Sequence, residues 1–376
     1  MPLVFARPTK ARTMAPAPAG RERFKLLDGL RFFAAFAVLA YHYIGYSHVR
    51  WGEPPSELFP VLSPIAAYGA LGVDLFFIIS GFVILMSAQN RSVGAFAASR
   101  ISRLFPAYWF AVLSTVFLYL VIAPGKFPTI SGGQVLANLT MVQQGLGVKH
   151  IDGVYWTLWV ELLFYILVCG LICIKPTERK IMGFAILWPI VAMISQQADS
   201  GFLKMFLSPQ NAPLFAGGMG LYLIHKYGHN LARWLVVIFN ALIAAQQATA
   251  YVSGPIARVT KQELSQTVAI VIVLGFFVLV ALATVTPLKS IGPSWLTYAG
   301  ALTYPLYLVH EAWGWWLIQW VNPIAGQWSA LLLAVAFSLA LAVVIERFVE
   351  RPLHPILNRT LKKNLTDQPK EVGLAA

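Results

Sequence analysis

The sequence predicts an all-α membrane protein, a polytopic transmembrane helical bundle of about ten spans with both termini in the cytoplasm. Its 376 residues are 58% hydrophobic and 11% charged, and the mean hydropathy is +0.68, whereas soluble domains carry about 25% charged residues. The apolar residues form runs of about 20, long enough to cross a bilayer, and the charges collect between the runs. These observations indicate that the net charge of +13 serves to orient the protein in the membrane rather than to bind nucleic acid.

Ten apolar segments are expected to span the membrane. The fifth is short, and the sixth is interrupted by Pro213, Gly217 and Gly218, which membrane helices tolerate where neighbouring helices satisfy the backbone. No convincing internal repeat is present, which weakens the case for an inverted-repeat transporter. The segments are 27–47, 66–88, 104–123, 154–174, 181–196, 205–225, 231–252, 265–286, 297–318 and 328–349.

The basic residues between these segments predict the orientation. With a cytoplasmic N-terminus, 22 of the 28 Lys and Arg residues lie inside. Such an asymmetry is the usual topogenic signal, and it indicates a multi-pass protein of the cytoplasmic (inner) membrane. The basic residues left outside are Arg50, Lys126, Lys149, Lys204, Arg258 and Lys261.

Three regions follow from this pattern. Residues 1–25 are basic and rich in Pro and Ala, are expected to be disordered, and contain no apolar core typical of a cleaved signal peptide. Residues 26–352 form the membrane domain, and residues 353–376 form a polar cytoplasmic tail. Cys169 and Cys173 lie one turn apart in an apolar run, so neither a disulfide nor a metal site is expected there.

The first span, LDGLRFFAAFAVLAYHY, organises the functional prediction. Arg31 and His42 are eleven residues apart, which in a helix is a rise of roughly 16 Å and an angular offset of about 20°. One helix face would therefore carry a cation near the cytoplasm and an imidazole about 20 Å into the membrane. Ionisable residues are costly in a bilayer and usually mark function, although Arg31 could snorkel and His42 could be structural.

Helical rise also predicts the depth of the other ionisable residues. Four of them fall in one layer in the outer half of the membrane: His42, Asp74, Glu161 and His310. Three arginines gather at the cytoplasmic mouth: Arg31, Arg100 and Arg103. A carboxylate beside a histidine favours a general base, and guanidinium groups match phosphate oxygens. Simpler interpretations remain for single residues, such as a local hydrogen bond of Asp74 or positive-inside arginines in RISRLF.

Six motifs in order resemble the acyltransferase-3 family of integral membrane acyltransferases. A basic residue, ten residues and a histidine match Arg31 to His42, and an aromatic residue followed by Ser/Thr-Leu-x-x-Glu matches WTLWVE. The matching segments are 31–42, 72–82, 100–109, 156–161, 303–310 and 350–352. The last of these, Glu-Arg-Pro, also has a simpler interpretation as a local ion pair with a helix stop.

The resemblance implies acetyl-CoA or another acyl-CoA as donor substrate, no metal, and an essential histidine at His42. It assigns the donor-side arginines to Arg31, Arg100 and Arg103. Ser99 stands where many members have a further arginine, which removes one phosphate contact. The chain is also expected to lack the periplasmic esterase-like domain of some members.

The sequence therefore predicts a membrane O-acyltransferase that acylates a hydroxyl of a glycan, such as exopolysaccharide, lipopolysaccharide or a lipid-linked sugar, reached from the outer side. His42 would be the general base, oriented by Glu161 or Asp74, with an acyl-histidine intermediate as a second route. Tyr304 or Trp156 would donate to the oxyanion. His310 would contact the substrate.

Two other classes fit the same residues. A transporter or flippase for a lipid-linked glycan or small molecule would use mid-membrane ionisable residues for proton coupling without acyl chemistry. A receptor or sensor for acyl-CoA is a third class, against which the absence of a soluble signalling region argues. Labelled acyl-CoA separates an enzyme from both.

Overall fold

The computed structural model describes residues 24–46, 49–198 and 200–366, and no strand occurs in these ranges. The predicted disordered segment lies almost entirely outside the described residues. Fifteen α-helices are described: α1 Lys25–Ala40, α2 Pro55–Leu58, α3 Leu62–Ala67, α4 Gly72–Ala88, α5 Val93–Phe117, α6 Gly132–Leu139, α7 Trp156–Cys173, α8 Glu178–Ser195, α9 Gly201–Leu207, α10 Ala212–Tyr227, α11 Leu231–Tyr251, α12 Ala257–Thr260, α13 Gln266–Val285, α14 Trp295–Ile345 and α15 Arg351–Thr366. Four π-helical turns extend them: Tyr41–Gly45, Leu118–Ile122, Val252–Ile256 and Glu346–Glu350.

Helix α4 lies at the centre of the bundle. It packs against α1 on one side and against α10 and α13 on another, while α14 packs against α1. The helix is apolar around most of its circumference and largely buried, as expected for a central helix. It crosses α10 closely because two glycines meet there: Gly81 lies against the Phe215 carbonyl and Gly218 against the Ile78 carbonyl, where a Cβ atom would clash.

Six helical segments are long and apolar enough to cross a membrane, and they contain seven of the ten predicted spans. The other three predicted spans correspond to the shorter or more polar helices α1, α8 and α10. The total of ten spans and the cytoplasmic position of the termini remain predictions. The six segments among the described residues are Leu62–Ala88, Val93–Ile122, Gly153–Cys173, Leu231–Thr260, Gln266–Val285 and Trp295–Thr366.

The structure places two helix interruptions differently from the sequence prediction. The predicted break at Pro213 lies earlier, between α9 and α10, where Ser208 adopts a left-handed conformation (φ 48°). Pro213 instead occupies the first turn of α10, where its missing N–H has no helical partner to lose. The last two predicted spans are continuous except at Gly326 (φ 78°, ψ 169°), which divides α14 into two parts.

The predicted helix stop at Glu350-Arg351-Pro352 was wrong. The π-helical turn Glu346–Glu350 leads directly into α15, with Pro352 in its first turn. Helix α15 is amphipathic and packs along α5, so much of the segment predicted as a tail belongs to the folded bundle.

Candidate active site

His42 lies on a π-helical turn, not on the continuous α-helix that the sequence predicted for residues 27–47. The α-helical part of the first span ends at Ala40, and the wider turn Tyr41–Gly45 follows. Two indole groups form hydrogen bonds with backbone carbonyls of this turn. Trp315 Nε1 donates to the His42 carbonyl at 2.9 Å, and Trp51 Nε1 donates to the Tyr43 carbonyl at 2.7 Å. Such turns are rare in proteins, and those that occur are often found at functional sites.

The His42 imidazole contacts a second histidine and a carboxylate, both contributed by α14. Its Nδ1 atom lies 2.9 Å from the Val38 carbonyl and 3.1 Å from His310 Nε2. Its Nε2 atom lies 3.4 Å from Glu311 Oε2, and the His42 side chain is 15% exposed. The ring is thus held on both nitrogens while part of it stays accessible.

These partners define one consistent arrangement of protons. His310 Nδ1 faces the Tyr307 carbonyl at 2.9 Å and the Leu306 carbonyl at 3.2 Å, so this nitrogen carries the hydrogen. His310 Nε2 is then an acceptor in the neutral ring, and His42 Nδ1 is the donor to it. The lone pair of neutral His42 is therefore on Nε2, the atom beside Glu311.

A second carboxyl group, that of Asp152, lies next to Glu311. Asp152 accepts hydrogen bonds from the Val154 N–H at 3.2 Å and the Ala312 N–H at 3.3 Å. The neighbouring Gly153 lies directly against the Glu311 carboxylate, because a Cβ atom there would be 2.7 Å from Glu311 Oε1. Burial raises the pKa of Asp152. Glu311 and Asp152 are thus two neighbouring buried carboxyl groups, and Glu311 is the one that contacts His42.

A wide basic opening, the mouth cavity, lies at the end of the bundle where α5 and α15 meet. It encloses about 1090 Å³, and Arg31, Arg91, Arg100, Arg103 and Lys362 are among its lining residues. Arg100 Nη2 donates to the Ser99 hydroxyl at 3.2 Å. Its Nε atom is buried without a hydrogen-bond partner among the described residues.

A narrower cavity of about 570 Å³, the inner cavity, continues from the mouth cavity. The two share Arg31, Ser80, Arg103, Glu161 and Tyr304. The inner cavity then becomes mostly apolar, with Val73, Phe76, Phe77, Leu158 and Tyr307 along its walls. A polar entrance with an apolar extension is suited to a ligand that has a charged head and a thin, less polar arm.

Tyr307 lines the inner cavity and also packs against His310 of the histidine pair. Its hydroxyl donates to the Val154 carbonyl at 3.1 Å and accepts from Thr157 Oγ1 at 2.8 Å. Its ring centroid lies 5.8 Å from that of His310. The wall of the inner cavity therefore contacts His310, and His310 in turn contacts His42.

Neither of the two carboxylates predicted to orient His42, Glu161 and Asp74, lies beside it. Glu161 accepts from the Tyr165 hydroxyl at 2.7 Å and from Ser80 Oγ at 3.3 Å, and it lines both cavities with the arginines. Asp74 lines a separate cavity with Trp156. The predicted orientation of His42 by Glu161 or Asp74 is replaced by the contact with Glu311.

The remaining predicted residues also have defined surroundings. Tyr304 lines both cavities, and its hydroxyl donates to the Leu104 carbonyl at 3.0 Å. Arg103 forms an ion pair with the buried Glu350, which connects the final motif to the mouth cavity. Arg351 of the same motif forms the predicted local ion pair, with Glu346 at 3.3 Å. His310, expected to contact substrate, is fully buried behind His42.

Glu311 and Asp152 are the residues that the sequence reasoning missed. Glu311 directly follows His310 in an apolar run, and an acidic residue inside such a run is itself a functional signal. Asp152 lies in a loop before α7, where its sequence context gives no comparable indication.

An integral membrane bundle that combines a basic cavity with a largely buried but accessible imidazole defines a candidate membrane transferase. Comparison with known families agrees: the family model of the acyltransferase domain, acyltransferase family 3, matches residues 24–347. The chain belongs to this family.

Individual relatives match over shorter segments. "Acyltransferase MdmB" of Streptomyces mycarofaciens is 30% identical over 153 residues, 38% of each chain. "Exopolysaccharide production protein ExoZ" of Rhizobium meliloti is 36% identical over 112 residues, 27% of this chain and 34% of that protein. "Putative peptidoglycan O-acetyltransferase YrhL" of Bacillus subtilis is 27% identical over 177 residues, 41% of this chain and 25% of that protein. The chain thus spans well under half the length of these relatives, and no solved structure matches it.

Proposed function

We propose that this protein transfers an acyl group, most simply acetyl, from acyl-CoA to a hydroxyl of a saccharide, with His42 Nε2 as the general base. The observation that carries the proposal is the continuity of the basic mouth cavity with an inner cavity whose wall residue Tyr307 packs against His310, the partner of His42. The names of the relatives, which include an exopolysaccharide production protein and a peptidoglycan O-acetyltransferase, support the acceptor class.

The donor would enter from the mouth cavity. Its phosphates would pair with Arg100 and Arg31, whose guanidinium groups offer several N–H donors in a fixed plane. The ion pair with Glu350 holds Arg103 at the junction of the two cavities. The pantetheine arm would follow the apolar walls of the inner cavity, and a small movement of Tyr307 would bring the thioester to the imidazole.

The chemistry needs one proton acceptor and one negative partner. His42 Nε2 removes the proton of the acceptor hydroxyl as its oxygen attacks the thioester carbonyl carbon. The tetrahedral intermediate collapses with cleavage of the C–S bond, an ester forms, and the CoA thiolate takes the proton back from the imidazolium. His310 accepts from His42 Nδ1 and keeps the ring in the reactive tautomer, while Glu311 stabilises the transient imidazolium.

A transfer assay with labelled donor tests this function. Purified protein in nanodiscs would be incubated with [¹⁴C]acetyl-CoA and a saccharide acceptor, and both labelled ester and free CoA would be measured. We expect His42→Ala to lower turnover by about 10³-fold, the contribution of a positioned general base, while binding of acetyl-CoA stays within about twofold. His229→Ala, at a surface loop far along the chain, is the matched control and retains activity.

The same assay separates the enzyme from a transporter. A transporter releases no CoA with any acceptor, and His42→Ala then has no acyl transfer to abolish. Turnover of His42→Ala near the wild-type rate would remove the base assignment even if the protein is an acyltransferase.

A further inference from the structure

A second cavity, distinct from the mouth and inner cavities, lies between α4, α7, α10 and α11. This groove has a narrow inner part, lined by Asp74, Trp156, Gln247 and Tyr251 among others, and a wider, open outer part. Trp156, Gln210 and Asn211 line both parts, so the two form one groove. The inner part has room for about one water-sized group, such as a single hydroxyl, and the outer part is open to a larger ligand.

The groove is lined by hydrogen-bonding groups with little charge. Amide side chains of Gln210, Asn211 and Gln247 can each donate and accept. The residues lining the inner part include no Lys, Arg or His, and their one ionisable carboxyl group is that of Asp74. A phosphate or carboxylate ligand would find no countercharge in the inner part, although Lys204 lines the outer part. Hydroxyl groups would find donors and acceptors on several sides.

Asp74 is a buried group without a protein partner in this groove. Its residue is 9% exposed, and its carboxylate forms no hydrogen bond with another described residue. Burying such a group without a partner costs free energy, which a ligand hydroxyl would recover by donating to it. The aromatic face of Trp156 adds an apolar surface suited to the C–H face of a sugar ring.

The groove borders both parts of the active site. Val73 lines the inner cavity and the groove alike, and Phe77 of the inner cavity packs against Trp156 with ring centroids 6.4 Å apart. Tyr251 lies near enough to Tyr41 for electrostatic interaction, and the Tyr41 ring packs edge-on against His42 at 4.8 Å. A ligand in the groove would thus lie beside the donor path, and Tyr251 and Tyr41 would connect it to the base.

We propose that this groove binds the acceptor, a neutral saccharide, with its ring against Trp156 and its hydroxyls on Asp74, Gln247 and Asn211. The inference rests on the proposed function for its role in transfer, but saccharide binding itself requires no acyl donor. The site assigns Trp156 to acceptor binding rather than to the oxyanion.

Saturation-transfer NMR on the full chain in nanodiscs tests the groove directly. The probes are maltotriose, cellotriose and N,N′,N″-triacetylchitotriose, with dodecyl maltotrioside to separate a lipid-linked from a free sugar and spermidine to test a cationic ligand. We expect saturation of ring protons for at least one saccharide and none for spermidine. Trp156→Ala should weaken that binding about tenfold, the loss of one aromatic contact.

Matched variants make the result decisive. Gln247→Leu keeps the volume, removes the hydrogen bonds and should also weaken saccharide binding, whereas Trp295→Ala, an exposed tryptophan elsewhere, should not. Trp156→Phe should restore most of the affinity, and acetyl-CoA binding should be unchanged in all four variants. Saturation of spermidine alone, no saturation of any saccharide, or saccharide binding unaffected by both Trp156→Ala and Gln247→Leu would overturn the assignment. Saccharide binding without acyl transfer would instead count against the proposed function alone.

Discussion

The mouth cavity and the histidine centre use charge in opposite ways. Basic residues outnumber acidic ones in the mouth cavity, and the Arg103 side chain is 33% exposed. In the histidine centre, His310 is fully buried and the ionisable groups face one another: two imidazoles and two carboxyl groups. This difference indicates that the mouth cavity is suited to attract a mobile anion, whereas the histidine centre is suited to control the position of a single proton.

This contrast predicts which kinetic parameter each region governs. Excess positive charge at a solvent-filled opening stabilises a bound anion before and during reaction, so its removal should raise the Michaelis constant. A buried and balanced cluster changes its charge only when the imidazole is protonated, so its removal should lower turnover. Variants in the two regions can therefore break or sharpen the comparison.

The largest effect beyond that of His42 is expected for Glu311→Gln. The amide keeps the shape but removes the negative charge beside the imidazolium, so turnover should fall about 10²-fold with little change in the Michaelis constant for acetyl-CoA. Steady-state kinetics of the [¹⁴C]acetyl transfer measures both. Glu178→Gln, in an ion pair with Arg233 on a surface helix, is the matched carboxylate control. Wild-type turnover in Glu311→Gln would show that the centre does not depend on this charge.

Arg100→Ala should have a smaller effect, and on the other parameter. Loss of one charge-assisted contact to phosphate should raise the Michaelis constant for acetyl-CoA about tenfold and leave turnover within about twofold. Raising the salt concentration should weaken donor affinity in the wild type more than in the variant. The control is Arg179→Ala on α8, and an equal change in both variants would argue against a specific phosphate contact.

The smallest effect is expected for Gly153→Ala. The new Cβ atom would lie 2.7 Å from Glu311 Oε1, so the flexible carboxylate must shift away from its present position. Turnover should fall roughly fivefold because the charge beside His42 is displaced, with little loss of thermal stability. Gly170→Ala, where a Cβ atom meets no neighbour within 4 Å, should be neutral; a Gly153→Ala variant equal to it would mean that the carboxylate position is not critical.

Much of the fold and part of the site followed from the sequence. Apolar periodicity located helices at all ten predicted spans, because length and hydropathy dominate helix formation in a membrane. The grouping of Arg31, Arg100 and Arg103 around one cavity was also predicted correctly. Their role in donor binding remains a proposal.

The depths of single residues were harder to predict. The calculation from helical rise placed Glu161 at the same depth as His42. It assumed that each span is straight and begins at the membrane surface. Asp152 ties the start of α7 to the Ala312 N–H of α14, and the π-helical turn at Tyr41–Gly45 changes the direction of His42. Both features depend on tertiary contacts, so sequence spacing alone cannot give them.

The central claim is that the donor path reaches His42. The most direct measurement is a cryo-EM structure of the protein in nanodiscs with a non-transferable acetyl-CoA analogue in which a methylene group replaces the thioester sulfur. The account predicts phosphate density at Arg100, the pantetheine arm in the inner cavity, Tyr307 moved aside, and the acyl carbonyl carbon within about 4 Å of a hydroxyl-sized space at His42 Nε2. Density for the acyl end against the lipid, or held at the mouth with Tyr307 still closing the inner cavity, would contradict it.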